Sequence, residues 1–280
     1  MSKYWYLTAG KIKVFSLGLL IISVMAVNAH AQTIDNFAVL GASTVTNTGA
    51  TTLGGNLGLY PGTSITGSGT ITLSGVIDDT NGAAATGQSD ALTEYTTLFH
   101  EPSIAVAGGS LNGLTLGPGV YSFSSTALLT TTLNLAFTGT DQTIVIQVDS
   151  GLTTGSGSKV LVTGVESGDN VDWVVGSSAT LGSTTSFAGT IIALTSVSLD
   201  TGATDGCGSV IALNAAVTLQ GNTISTGCSY GTTGTVTPTP IPPGGGTTVT
   251  VPEGGSTLLY LCSFLLPLGA MRVFRFRRSI

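Results

Sequence analysis

Side chains able to do acid–base or covalent chemistry are scarce in this chain and poorly spaced for it. Charged residues make up 8% of its 280 positions, against roughly 25% in an ordinary domain. Asp169 and Asp172 could in principle be the two carboxyl groups of a glycosidase. Nothing in the sequence sets them across a cleft, however, and the segment reads as a solvated loop. Asp78-Asp79 and Asp141 lack the alternating oxygen ligands of a calcium loop, so neither a metal nor another cofactor is expected. His100 beside Glu101 reads as a surface turn. Between Gln32 and Met271 the only base is Lys159. Such a stretch can neither neutralise a row of phosphates, which excludes nucleic acid as a partner, nor supply the basic residue of a polysaccharide lyase. No catalytic residue is assigned, and an enzyme is not expected.

What the chain has in abundance is Thr, Ser and Gly, arranged with a repeat. Ser178-Ala179-Thr180-Leu181-Gly182, Ser196-Val197-Ser198-Leu199-Asp200 and Ala215-Ala216-Val217-Thr218-Leu219-Gln220 superimpose, with Gly189-Thr190-Ile191-Ile192-Ala193-Leu194 and Gly208-Ser209-Val210-Ile211-Ala212-Leu213 between them. Short β-branched runs recurring about every 18 to 20 residues, punctuated by glycine, predict the coils of a β-solenoid. Because side chains alternate along a strand, Ala179, Leu181, Val197, Leu199, Val217 and Leu219 point inward. Thr180, Ser198 and Thr218 then form an outward ladder at a spacing of roughly 4.8 Å. Thr48-Gly49-Ala50-Thr51 also recurs unchanged as Thr201-Gly202-Ala203-Thr204, each copy separating one strand from the next. A glycine-assisted turn accounts for it as local structure.

Other segments must position or deliver this scaffold. Over 81–98, Ala84, Gln88, Leu92, Tyr95 and Leu98 fall at helical spacing and predict a helix lying on a sheet. Asn81 or Thr80 is its N-cap, and it should end before Pro102. Residues 1–31 have a basic start (Lys3, Lys11, Lys13), an apolar run and the exit Ala29-His30-Ala31, which predicts a secretory signal peptide. The solenoid domain is expected over 32–231 and a Pro/Gly/Thr linker over 232–250. Residues 251–280 begin Val251-Pro252-Glu253-Gly254-Gly255-Ser256-Thr257, continue through an apolar segment that includes Cys262, and end with Arg272, Arg275, Arg277 and Arg278. A short motif, an apolar helix and a basic stop form a sorting or anchoring tail whose arginines stay cytoplasmic. The tail resembles the VPEGGST variant of the PEP-CTERM signals. This implies a Gram-negative envelope, an exosortase-like sorting enzyme as partner, and membrane contact through the terminal segments alone.

Three stretches carry a resemblance to a domain family. Asn36-Phe37-Ala38-Val39-Leu40-Gly41-Ala42-Ser43-Thr44-Val45-Thr46-Asn47-Thr48-Gly49 resembles the opening of the DUF3494 ice-binding proteins. Leu114-Thr115-Leu116-Gly117-Pro118-Gly119-Val120-Tyr121-Ser122-Phe123 resembles their central motif. Trp173-Val174-Val175-Gly176-Ser177-Ser178-Ala179-Thr180-Leu181-Gly182, followed by Ser186-Phe187-Ala188-Gly189-Thr190-Ile191, resembles their C-terminal one. The resemblance spans about residues 34 to 227. It implies a mainly β, discontinuous right-handed solenoid of triangular cross-section with one long α-helix packed alongside, and a monomer that binds an ice crystal surface through one flat face. It assigns the ladder Thr180, Ser198 and Thr218 to that face. It also likens the repeated tetrapeptide to the family's T-A/G-X-T/N ice-binding motif, carried here by Thr48, Thr51, Thr201 and Thr204. Asp200 and Asp205 flank the second copy and would place charge on the face. Family members can carry two cysteines that bridge coils, a role open here to Cys207 and Cys228. The expected product is a secreted or cell-surface protein that limits ice growth or recrystallisation. An alternative is a surface adhesin or matrix protein binding polysaccharide or another cell. An aromatic-lined groove would favour the second reading and a flat Thr/Ser face the first.

Overall fold

Short β-branched runs closed by glycine cannot bury an apolar face alone, and they do so here by stacking. The computed structural model describes residues 34–227. Within them 24 strands, numbered along the chain, form three sheets of nine, seven and eight strands. The strands of each sheet pair in parallel, as a coil that always advances in one sense requires.

The first sheet, the helix wall, runs in space β7 (Ile77–Asp79), β4 (Asn56–Leu59), β1 (Phe37–Gly41), β22 (Val210–Ala212), β19 (Thr190–Ala193), β16 (Asn170–Val175), β13 (Thr143–Val148), β10 (Gly119–Phe123), β8 (Ile104–Ala105). The second, the ladder wall, runs β11 (Ala127–Leu129), β14 (Leu152–Thr154), β17 (Ala179–Leu181), β20 (Val197–Leu199), β23 (Val217–Gln220), β2 (Thr44–Thr48), β5 (Ser64–Thr66). The third wall runs β6 (Ile71–Leu73), β3 (Thr51–Gly54), β24 (Thr223–Ser225), β21 (Thr204–Asp205), β18 (Ser186–Phe187), β15 (Lys159–Thr163), β12 (Thr132–Ala136), β9 (Thr115–Leu116).

The chain visits the walls in rotation, so three consecutive strands make one coil. Its path along the stack is discontinuous. After β1 to β7 it crosses to the far end through the helix α1 (Gly82–Phe99), restarts at β8, and winds back until the last coil, β22 to β24, meets the first, β1 to β3. Val39 pairs with Val210, Val45 with Val217 and Leu53 with Ile224. The two ends of the described sequence therefore seal against each other in mid-stack. The repeat of 18 to 20 residues holds for the last coils, where hydrogen-bonded partners stand 18, 19 and 20 positions apart. Coils in the middle of the described sequence are longer, with partners 27 and 28 apart, because their corners carry extra turn residues.

Inward positions fill the prism with Val, Leu, Ile and Ala around Trp173, whose Nε1 donates to the Ala188 carbonyl at 3.1 Å and whose ring lies 4.8 Å from that of Phe187. Outside the helix wall a second apolar layer joins Phe37, Leu40, Val145, Val174, Ile192 and Ile211 to α1. Asn81 caps this helix by accepting from the Ala84 amide at 3.0 Å. Its buried face is Ala84, Gly87, Ala91, Tyr95 and Leu98. Leu92, predicted on that face, is instead 51% exposed, and Gln88 is half-buried with its amide donating to the Ala212 carbonyl. Small residues set the helix close to the sheet: a Cβ on Gly87 would stand 2.7 Å from the Phe37 ring.

Candidate functional site

Alternation along the ladder wall puts one side-chain column outside and the next in the core. Register aligns Leu128 with Thr153, Thr153 with Thr180, Thr180 with Ser198, Ser198 with Thr218, Thr218 with Thr46 and Thr46 with Thr66. Thr180, Ser198 and Thr218 thus stand side by side, as their spacing predicts. Their inward neighbours Ala179, Leu181, Val197, Leu199, Val217 and Leu219 are buried. Sequence reasoning missed Thr153 on one side of the three and Thr46 and Thr66 on the other. The alternation within Thr44–Thr48 is legible, but its place beside β23 depends on chain ends brought together from opposite parts of the sequence. A parallel row at the wall's edge consists of Ser178 and Ser196, whose hydroxyls lie 2.9 Å apart.

The repeated tetrapeptide lies at the corner between the ladder wall and the third wall, and its two copies are not equivalent in space. Thr204 aligns through Thr223 with Thr52, one position beyond Thr51. Thr51 is only 1% exposed. Its hydroxyl donates to Asn47 Oδ1 at 2.6 Å and accepts from the Asn222 amide at 3.2 Å. It is therefore withdrawn from the surface set, because its side chain is occupied inside the corner. Thr48 and Thr201 are exposed there, while Thr204 is half-buried on the third wall. Gly49 and Gly202 hold φ of +81° and +70°, a region glycine enters without penalty. An internal polar ladder braces the turn: Asn47 reaches Gly49, Gly67 and Thr70, while Asn222 donates to the carbonyls of Asp200 and Ala203.

Of the two carboxylates expected to charge this surface, one lies beneath it and one remains at its edge. Asp205, expected to charge the face, points inward and is fully buried, aligned with Phe187 and Ile224. Burial pushes its carboxyl up to about 8, against weaker support from the backbone amides of Cys207 and Gly189. Asp200 is half-buried at the corner. Asp169 and Asp172 are not a solvated loop, each being 5% exposed. Asp169 accepts from the Gln142 and Glu166 amides, which clamps a turn. Asp172 sits on the helix side of its wall. Burial, then the like charges of Glu94, Asp35 and Glu101, push it well above the usual carboxylate range, against a hydrogen bond from Asn170. Among the described residues no group of three or more His, Cys, Asp or Glu could hold a metal ion. Cys207 is disulfide-bonded; Cys228 lies outside the described residues, as do the segments 1–31, 232–250 and 251–280.

Known proteins share both sequence and architecture with this chain. An ice-binding protein of Nostoc sp. (strain HG1) is 44% identical over 198 residues, covering 70% of this chain and 73% of the relative. One from a Colwellia species is 37% identical over 42% of this chain and 45% of its own length. Among solved structures, an ice-binding protein from an Antarctic biological consortium superimposes with a TM-score of 0.63 at 37% identity, covering 80% of this chain and 96% of that one. That of the ascomycete Antarctomyces psychrotrophicus gives 0.66 at 30% identity, covering 70% and 96%. The profile of the ice-binding-like family matches residues 39–225, the span from the first strand to the last. With three parallel walls, one helix laid along them and that match across the whole stack, the chain is a member of the ice-binding-like family.

Proposed function

We propose that this protein adsorbs to ice through the outer surface of the ladder wall and thereby limits ice growth or recrystallisation. The observation that carries the reading is the unbroken column Thr66, Thr46, Thr218, Ser198, Thr180 and Thr153. Each Thr offers a methyl group beside a hydroxyl on a side chain stiff at χ1. Parallel strands repeat that pair at roughly 4.8 Å. Methyl groups favour caged water, hydroxyls anchor it, and a rigid array orders it before contact, so little further entropy is lost on adsorption. No catalytic step is involved. The adhesin alternative gains no support from this wall, because its described strands contain no aromatic residue on which a sugar ring could stack.

Export by residues 1–31, sorting through 251–280 and a Cys207–Cys228 bridge belong to the same reading. They place a disulfide-stabilised domain in an oxidising compartment, where ice would be met. The deciding experiment compares recrystallisation inhibition by the protein with that of Thr180→Tyr and Thr218→Tyr. A control, Thr96→Tyr, alters an exposed position on the helix. The ladder variants should stay folded and lose inhibition while the control retains it. Full activity in folded ladder variants would refute the face assignment, and inactivity of the parent would refute ice adsorption itself.

A further inference from the structure

We infer that a cleft at the ridge between the third wall and the helix wall binds a calcium-like divalent cation, which ties the first described strand to the last. The cleft has a volume of about 220 Å³. Asp35 and Asp169 bring carboxylates to it, Asn170 an amide, and Thr190, Ser209 and Thr226 hydroxyls. Thr190 and Ser209 are 6% and 1% exposed, and among the described residues neither side chain has a hydrogen-bond partner. Leaving a buried hydroxyl without one is costly. Among the described residues the only wholly enclosed side-chain polar atom in that condition is Asp205 Oδ2. Both hydroxyls therefore open onto the cleft, where a ligand can satisfy them. Thr226 Oγ1 donates to the Gly54 carbonyl at 3.1 Å, which keeps its lone pairs available to a cation.

Charge decides the class of ligand. Lys159 is the only Lys or Arg among the described residues, and it stands exposed on the third wall in register with Ser186 and Thr132. No basic side chain there offsets Asp35 and Asp169. Asp35 acts together with Glu94 and Glu101 on the buried Asp172, which accepts from Asn170 Nδ2 at 2.8 Å. The negative potential thus extends behind the cleft wall, and an anion is repelled. Oxygen donors alone suit a hard cation; Cys207, beside them, is disulfide-bonded and offers no thiolate to a softer metal. Two carboxylates are few for calcium, and the cleft is roomier than a bare ion. Water therefore completes the shell, and the affinity belongs with that of extracellular calcium modules, about 10⁻⁴–10⁻³ M. Magnesium, which demands octahedral geometry and sheds water reluctantly, fits less well. Asp35 precedes the first strand of the helix wall, Thr226 follows the last strand of the third wall, and Thr190 begins β19. An ion held among them stitches separate coils together at the seam. The inference stands apart from ice adsorption.

The test titrates calcium into the chelator-treated full chain, following binding by calorimetry and stability by thermal unfolding. One ion per chain should bind, and at about tenfold excess over the dissociation constant it should raise the melting temperature by about 3–5 °C. Asp35→Asn should weaken binding by about tenfold or more. Thr190→Val combined with Ser209→Ala should abolish the calcium-dependent shift, while the chelated variant melts no lower than the parent. Asp79→Asn, which removes an equal charge from an exposed position at the end of the stack, should bind as the parent does. No binding, or a shift matched by choline chloride at equal ionic strength, would overturn the site. Undiminished calcium binding by Asp35→Asn or by the double variant would overturn it too. Should the double variant fail to fold, Asp35→Asn decides alone, since it alters an exposed side chain.

Discussion

At the scale of single residues, the interior of the solenoid holds polar groups that the exposed ladders depend on. Asp205 is neutral in the folded protein up to about pH 8 and ionised above about pH 4 once unfolded. The folded state thus binds the extra proton between those limits, and stability must fall as pH rises from about 4 to about 8. Asp172 shifts in the same direction and adds to the slope. We expect chemical unfolding to show a domain more stable at pH 5 than at pH 8. Asp205→Asn, which stays neutral throughout, should flatten that dependence and gain stability at pH 8; an unchanged slope would show that Asp205 does not carry the proton. A second expectation concerns Asn222, 1% exposed and bonded to two carbonyls and the Gln220 amide. Asn222→Ala strands those groups and should cost about 2–3 kcal/mol in urea denaturation. A loss below about 0.5 kcal/mol would mean that other groups brace the corner.

The elements answer to a different control, the fit of α1 against its wall. Gly87→Leu should push the helix off Phe37 and destabilise by about 1–3 kcal/mol. Leu92→Ser on the exposed side should change stability by no more than about 0.5 kcal/mol. Equal losses in thermal melts would contradict the observed helix face. The helix limits were legible because Asn81 and Pro102 punctuate the chain. Its face was not, since mostly small residues line it and Leu92 looks apolar on either side. The phase of Val197–Leu199 and its neighbours was legible from alternation alone, which fixes in and out wherever one side is core. The corner was not. Thr48 aligns with Gln220 and Thr52 with Thr223, so one coil takes an extra residue to turn from wall to wall. Identical tetrapeptides can therefore occupy different positions, as Thr51 and Thr204 do. The inward Asp205 defied the binary pattern outright.

For the whole molecule, closure of the last coil onto the first makes stability collective. In an ordinary solenoid, losing a terminal repeat shortens the stack. Here residues 208–227 are interior rungs, and removing them exposes both β1 to β3 and β19 to β21. We expect a chain ending at residue 207 to lose cooperative thermal unfolding altogether; a merely lower melting temperature with the transition intact would contradict this. The same closure governs how the particle can be held. Residues 34 and 227 both lie at the ridge where the third wall returns to the helix wall, and Asp35 and Thr226 line one cleft there of about 220 Å³. This is the ridge that does not border the ladder wall. A tether attached at either end therefore moors the particle by its back, amidships, and leaves the Thr/Ser column facing outward. Tension applied between the two ends would be borne first by the pairing of neighbouring coils beside that ridge, with the ladder wall out of the line of load.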